Sequence, residues 1–235
     1  MAFNTALALA SASPAARDTD ALQRVWETIQ PDSCPHSYNF HLHTHCSDGQ
    51  LKPEALIEQA VKIGLKGLAI TDHHTVSGYR AAQFWLDEAR ARHSDRQLPQ
   101  LWVGVEITAL LLGVEVHILG YGFDPENAAI APYLQGNSPH GYEARTDRVI
   151  EAIHQAGGLA ILAHPERYPK PAKKLVPAVV EAGIDGLETY YAYRKTNPWR
   201  PTFPQTRTVE ELSDRYNLFR TCGTDSHGLD ILLRL

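Results

Sequence analysis

Short apolar runs alternate with longer amphipathic stretches along this chain, and imidazole or carboxylate side chains stand at the ends of most of the apolar runs. Residues 38–44 read as a first strand. Pro53 opens a helix that turns Leu56, Ile57, Ala60 and Val61 to one face and stops at Gly64. Residues 67–71 predict a second strand, 77–91 a helix and 101–107 a third strand. Residues 114–122 are extended and fold back on 110–112 through a turn at Gly113. A helix over 142–156 ends at Gly157 and Gly158. Strands at 159–163, 186–190 and 219–222 then alternate with helices at 172–182 and 208–216. Ahead of all this, Thr19 or Asp20 caps a short helix with Leu22, Val25, Trp26 and Ile29 on one face, which packs on the outside of the main body. The alternation predicts an α/β fold of parallel βα units, and about seven strands suggest a closed or nearly closed barrel.

The 235 residues fit one domain, expected over 37–235, preceded by a tail and short helix at 1–36. A hydrophobic share of 43% is enough for a core, and no run approaches the roughly 20 apolar residues of a membrane span. The first sixteen residues are rich in Ala and Ser and lack a basic start, which reads as a frayed tail rather than a cleaved signal. A net charge of −5 leaves no broad basic surface for duplex nucleic acid, so a phosphate-bearing substrate must be attracted locally. Three cysteines (Cys34, Cys46, Cys222) fit a reducing, cytoplasmic setting better than a disulfide framework.

The polar residues at the strand ends then change the picture. His41 and His43 lie two apart on a strand and point the same way. Asp48 follows in a Ser-Asp-Gly turn, and Asp72, His73 and His74 end the second strand. Glu106 sits inside an apolar run, where an unpaired carboxylate is strongly disfavoured. His117, His164, Asp225 and His227 complete the series. Each alone has a duller explanation: a turn former, a helix cap, a satisfied core histidine. Repeated at strand ends, they converge at one end of a barrel-like sheet and form a ligand set for zinc, manganese or iron.

The matching segments are FHLHTHCSDG at 40–49, AITDH at 69–73, GVE at 104–106, HILGY at 117–121, AHP at 163–165 and GTDSH at 223–227. Their order and context resemble the polymerase and histidinol phosphatase (PHP) family of metallophosphoesterases. The likeness is closest to its stand-alone bacterial branch, which includes nucleotide phosphatases and 5′-to-3′ exonucleases. The resemblance implies a distorted (β/α)7 TIM-like barrel with roughly two to three divalent ions (Mn, Zn or Fe). By that resemblance His41, His43, Glu106 and Asp225 hold one ion. Glu106 bridges to a second held by His117 and His164. Asp48, His73 and His227 hold a third, and Asp72 supports from behind. Two departures stand out: His74 replaces a common Asp or Asn, and the stretch from 120 to 158 is short beside relatives whose inserted helices cover the site.

The expected activity is metal-dependent hydrolysis of phosphate monoesters or terminal phosphodiesters, in nucleotides or short single-stranded oligonucleotides, by a metal-bridging hydroxide. Asp72, His74, His227 and Arg145 are the catalytic candidates, with His227 or His74 to protonate the leaving oxygen. Arg145 and Arg148, about one helical turn apart, are candidates to clamp a second phosphate. Arg167, Arg194 and Tyr190, the last in an aromatic and basic stretch suited to stacking a base, are further substrate contacts. Cys46 and Cys222 flank ligands and are expected to be neighbours. Alternatives are a histidinol-phosphate phosphatase, with Glu188 as a carboxylate for the substrate amine, a TatD-like metallonuclease, and a non-catalytic metal-stabilised binding module.

Overall fold

The computed structural model describes residues 12–92 and 97–234, so most of the expected N-terminal tail, residues 1–11, lies outside the described residues. Strands β1 (Tyr38–Asn39), β2 (Gly67–Ala69) and β3 (Gln100–Trp102) form a parallel sheet in that order. Strands β4 (Gly104–Leu111), β5 (Val114–Tyr121), β6 (Leu159–Leu162), β7 (Gly186–Tyr190) and β8 (Phe219–Cys222) form a second sheet, also in chain order. Helices α1 (Thr19–Trp26), α2 (Pro53–Ile63), α3 (Ser77–Arg92), α4 (Thr146–Gln155), α5 (Ala172–Glu181) and α6 (Gln205–Tyr216) fall between or before them. The fold is α/β with parallel strand pairs, as expected. Among the described residues no helix is long and apolar enough to cross a membrane.

The strands do not form one closed barrel, and not all are parallel. The run expected as one strand at 101–107 breaks at Val103 and divides between the sheets. Gly104 fits there because a Cβ on it would lie 2.6 Å from the Ile70 carbonyl oxygen. β4 and β5 are an antiparallel hairpin with Gly104 opposite Tyr121, and β6 continues antiparallel to β5. The turn is Leu112–Gly113, with φ of 50° and 76°. Two consecutive positive values match the tight hairpin turns that suit strand twist.

At the open edges the sheets meet through single hydrogen bonds. Phe40 N–H donates to Cys222 O at 3.0 Å, Asp225 N–H to His41 O at 2.9 Å and His43 N–H to Ser226 O at 3.1 Å. On the other side Glu106 N–H reaches Asp72 O at 3.3 Å, and His74 N–H reaches Glu106 O at 3.0 Å. The strand expected over 38–44 is therefore reduced to Tyr38–Asn39. At its end the Asn39 side chain takes Thr224 N–H (3.1 Å) and donates to Thr224 Oγ1 (2.9 Å), adding side-chain bonds to the main-chain ones.

Asp18, rather than Thr19 or Asp20, caps α1, its Oδ1 accepting Ala21 N–H at 2.8 Å. Trp26 of α1 meets Tyr121 edge-on at 5.4 Å and Phe40 at 6.1 Å. Tyr121 pairs with Leu159, the first residue of β6, so α1 covers the end where the parallel strands begin. α4 starts at Thr146, not 142, because Leu110 N–H bonds to Ala144 O at 2.6 Å and holds the preceding residues extended. A buried cluster including Leu42, Leu68, Val105, Ile118, Leu162 and Leu187 packs the strands against the helices.

Candidate metal centre

The other end of the sheets carries the polar groups. His41 and His43 leave β1 with one residue between them, and Glu106 comes in from β4 and His117 from β5. His73, His164 and the pair Asp225 and His227 lie just beyond β2, β6 and β8. His74, His164 and Asp225 hold φ of 55°, 30° and 53°, a region L-residues adopt only when surroundings impose it.

Glu106, 1% exposed, is the centre. Its Oε2 lies 2.9 Å from His41 Nε2, 3.0 Å from His43 Nε2 and 3.6 Å from His73 Nε2. Its Oε1 lies 2.6 Å from His117 Nδ1 and 3.4 Å from His164 Nε2. Asp225 Oδ1 lies 3.4 Å from His41 Nε2 and 3.3 Å from His43 Nε2. Farther out, Asp48 Oδ2 lies 3.2 Å from His227 Nε2 and 3.8 Å from His73 Nε2, and Asp48 Oδ1 lies 3.6 Å from His43 Nδ1. Ligand atoms lie within 4.8 Å of one another in three sets: His41, His43, Glu106 and Asp225; His43, Asp48, His73 and His227; and His73, Glu106 and His117.

This crowding fits a cation better than hydrogen bonding alone. His41 Nε2 and His43 Nε2 are 3.1 Å apart. His41 Nδ1 faces Glu188 Oε1 at 2.9 Å, so in the neutral tautomer its proton lies there. Its Nε2 then adds a lone pair where two carboxylate oxygens and another imidazole already point. Neither ring nitrogen of buried His164 makes a hydrogen bond among the described residues. Imidazole nitrogens mixed with carboxylate oxygens are a donor set for zinc, manganese or iron.

Without ions the charges balance on protons. Burial pulls the His41 imidazole down, but Glu188, Glu106 and Asp225 outweigh it and hold it well above the ordinary range. Burial opposes charge on His43 as well, yet hydrogen bonds to Asp225 and Glu106 push it up to about 9. For Glu106 and Asp225 burial favours protonation, and the surrounding histidines overcome it, leaving both carboxyls well below the usual range. Burial lowers His73 and His74 to about 4 each.

The remaining candidates divide. Asp72 is 1% exposed and accepts Thr44 N–H (2.7 Å), Thr44 Oγ1 (2.7 Å) and Ser47 Oγ (2.8 Å), so it shapes the loop carrying His43 and Asp48. His74 Nε2 lies 3.1 Å from Thr108 Oγ1 and 3.3 Å from Ser138 Oγ. Arg167 reaches the centre: one guanidinium nitrogen is 3.0 Å from Asp225 Oδ2, and the side chain remains 46% exposed. Arg145 is exposed and pairs with Asp147, and Arg148 pairs with Glu151 and lies over the Tyr142 ring. Arg194 is exposed, its N–H bonded to Thr202 Oγ1.

Tyr190 is buried in the apolar cluster with Trp26 and Phe40, away from the histidines. Its neighbour Tyr191 faces the centre instead, donating to Asp225 Oδ2 at 2.6 Å. The cause is an irregularity in the β7–β8 register between Glu188 and Tyr190, which shifts the alternation so that Glu188 and Tyr191 share a side. Arg234 also reaches Asp225 Oδ2, at 3.7 Å, and lies over the Tyr191 ring; its sequence context carries no signal for this. Glu188 is fully buried and has both oxygens engaged, with His41 Nδ1 and with His164 N–H. Cys222 neighbours Cys34, not Cys46: the Cys34 thiol is pushed well up by burial and by a hydrogen bond to Cys222, while Cys46 Sγ sits 3.6 Å from His45 Nδ1.

Comparison with known proteins agrees with this picture. The chain is 24% identical to the 5′-3′ exoribonuclease Rnm of Salmonella typhimurium, over 81% of this chain and 85% of that protein. It is 25% identical to the phosphoribosyl 1,2-cyclic phosphate 1,2-diphosphodiesterase of Eggerthella lenta, over 81% and 94%. A shorter match, 36% identical over 52% of this chain and 39% of the relative, is to the 3′,5′-nucleoside bisphosphate phosphatase of Chromobacterium violaceum. Among solved structures, one described as a metal-dependent phosphoesterase of Bifidobacterium adolescentis superposes with a TM-score of 0.65 at 24% identity, covering 85% of this chain and 90% of that one. The profile of the PHP domain matches residues 39–198. With that match spanning the ligand segments from His41 to His164, the chain belongs to the PHP domain family.

Proposed function

We propose that this protein is a metal-dependent phosphoesterase that hydrolyses the phosphate of a nucleotide or the terminal phosphodiester of a short single-stranded oligonucleotide. The observation that carries the reading is the convergence on Glu106 of His41, His43, His73, His117 and His164, with Asp225 beside them. Two to three divalent ions would be held by the three sets above, with His164 completing the group around Glu106 Oε1. Bound there, they would polarise the phosphoryl group and bring the pKa of a water to about 7.

The chain's own residues do the rest. Arg167, half-exposed beside Asp225, is the cation best placed to meet a phosphate oxygen. Tyr191 and Arg234 hold the far oxygen of Asp225, leaving Oδ1 for the centre. Asp72 keeps the Thr44–Ser47 backbone in place, and with it Asp48. His74, lowered to about 4 by burial, is neutral at pH 7 and a poor proton donor. Its bonds to Thr108 and Ser138, and its carbonyl accepting Gly136 N–H at 2.8 Å, make it an anchor for the loop after Gly136.

Glu188 weighs against the histidinol-phosphate reading, because both its oxygens are committed and none is free for a substrate amine. The test is phosphate release from adenosine 3′,5′-bisphosphate and from histidinol phosphate, and mononucleotide release from a 5′-phosphorylated short RNA, with Mn added and Glu106→Gln as blank. Release from either nucleotide substrate, abolished by chelator and in the blank, is expected. Release from histidinol phosphate alone, or from none with metal bound, would sink the proposal.

A further inference from the structure

Glu188 combines three features that its place in β7 does not require. Its side chain is fully buried, and His41 is its ion-pair partner among the described residues. Oε1 lies 2.9 Å from His41 Nδ1, and Oε2 accepts His164 N–H at 2.9 Å. It therefore touches two residues that follow different strands, β1 and β6, each of which reaches Glu106 from its other side. The packing leaves no slack: a Cβ on Gly223 would lie 2.2 Å from His41 Cβ and 2.9 Å from Glu188 Oε1. A carboxylate in such a place is costly to bury unless its partners need it there.

We propose that Glu188 is a positioning residue for the metal centre, an inference that rests on the metal-dependent reading above. It holds the proton of His41 on Nδ1, which leaves the Nε2 lone pair aimed at the point shared with His43, Glu106 and Asp225. Through the His164 main chain it fixes the strand end from which that imidazole departs, at φ 30°. One buried carboxylate thus registers two ligands against each other. Carboxylates that orient metal-bound imidazoles in this way typically tighten metal binding about 10–100-fold.

Glu188→Gln keeps the volume but cannot accept at both ends, since its amide NH2 must face either His41 Nδ1–H or His164 N–H. The experiment is calorimetric titration of wild type and E188Q with zinc and with manganese, alongside thermal midpoints in chelator. E188Q should bind the tightest ion about 10–100-fold more weakly, with the midpoint in chelator lowered as well because the buried pair with His41 is lost. Equal affinities in the two proteins would overturn the assignment, as would a loss confined to the metal-free midpoint. A wild type that binds no metal would instead sink the metal reading itself. Should E188Q fail to fold, long-range 1H–15N spectra of zinc-loaded wild type still decide. A proton on His41 Nδ1 supports the role, and a proton on Nε2 refutes it.

Discussion

Removing metal should reverse the sign of the protein's pH response. Without ions, the proton on His43 is held by Asp225 and Glu106 against the effect of burial, and its pKa stands at about 9. In the unfolded chain the same imidazole titrates near 6.5. A group raised on folding contributes stability that is complete below its unfolded value and lost as pH rises through its folded one. The window here is therefore pH 6.5 to 9. The gap of about 2.5 units corresponds to roughly 3 kcal/mol, taken at full weight because His43 is 1% exposed. For a chain of this size that is roughly 6–12 °C in melting temperature. His41 and His117, also raised, push in the same direction. Metal requires these nitrogens unprotonated, so stabilisation by added Mn should grow over the same window. The assay is denaturant unfolding at half-unit steps from pH 6 to 9, once in chelator and once in excess Mn. Metal-free stability that is flat or rising between pH 6.5 and 9 would refute the charge balance drawn around Glu106.

Tyr191→Phe deletes the 2.6 Å bond to Asp225 Oδ2. It should cost about 1.5–3 kcal/mol of stability, a hydrogen bond to a charged group, and lower metal content, both measurable by unfolding and by metal analysis of the purified variant. Arg167→Ala should raise KM for a phosphorylated substrate about tenfold or more and lower metal content less than Tyr191→Phe does, since Tyr191 and Arg234 still hold Asp225 Oδ2; unchanged KM would remove Arg167 from the substrate site. His154→Gln tests a pair far from the centre, where a hydrogen bond to Asp185 raises the His154 pKa. Its stabilising effect should be complete below pH 6.5 and vanish as pH rises past the folded value. Partial exposure limits it to about 0.5 kcal/mol, so a larger loss at pH 8 than at pH 6 would contradict the assignment.

What could be read from the sequence follows the range of the forces involved. The apolar runs that became β2, β6, β7 and β8, and the helices between them, lie close to their expected places because periodicity and the Gly and Pro boundaries are local. Glu106 stood out because a carboxylate inside an apolar strand needs a partner. The arrangement of strands into two sheets was not legible, because it depends on close approach at Gly104 and on Asn39 bonding to Thr224, far away in sequence. Tyr191 was hidden behind Tyr190 for a local reason with a distant cause: the register irregularity opposite β8 changes which tyrosine faces the histidines. Arg145 and Arg148 shared a plausible helix face, but Arg145 precedes α4, and each is paired with a nearby acid.

The features that look unfavourable one at a time have a common relief. His41, His43, Glu106 and Asp225 set four acceptor-type atoms within 4.8 Å of one another, His164 buries two ring nitrogens without a hydrogen bond, and His74, His164 and Asp225 hold left-handed backbone angles just past their strands. Residues in such conformations persist only where the surroundings over-determine them. Here those surroundings are single hydrogen bonds at the sheet edges, Asp225 N–H to His41 O and His74 N–H to Glu106 O, rather than long ladders. A divalent cation held there would satisfy the crowded lone pairs, with His164 near enough to join, and would replace the protons that otherwise hold the histidines to Glu106. The positive charge that a phosphate needs would then be concentrated where the sheets meet, which would let a chain of net charge −5 take an anionic substrate without a basic surface.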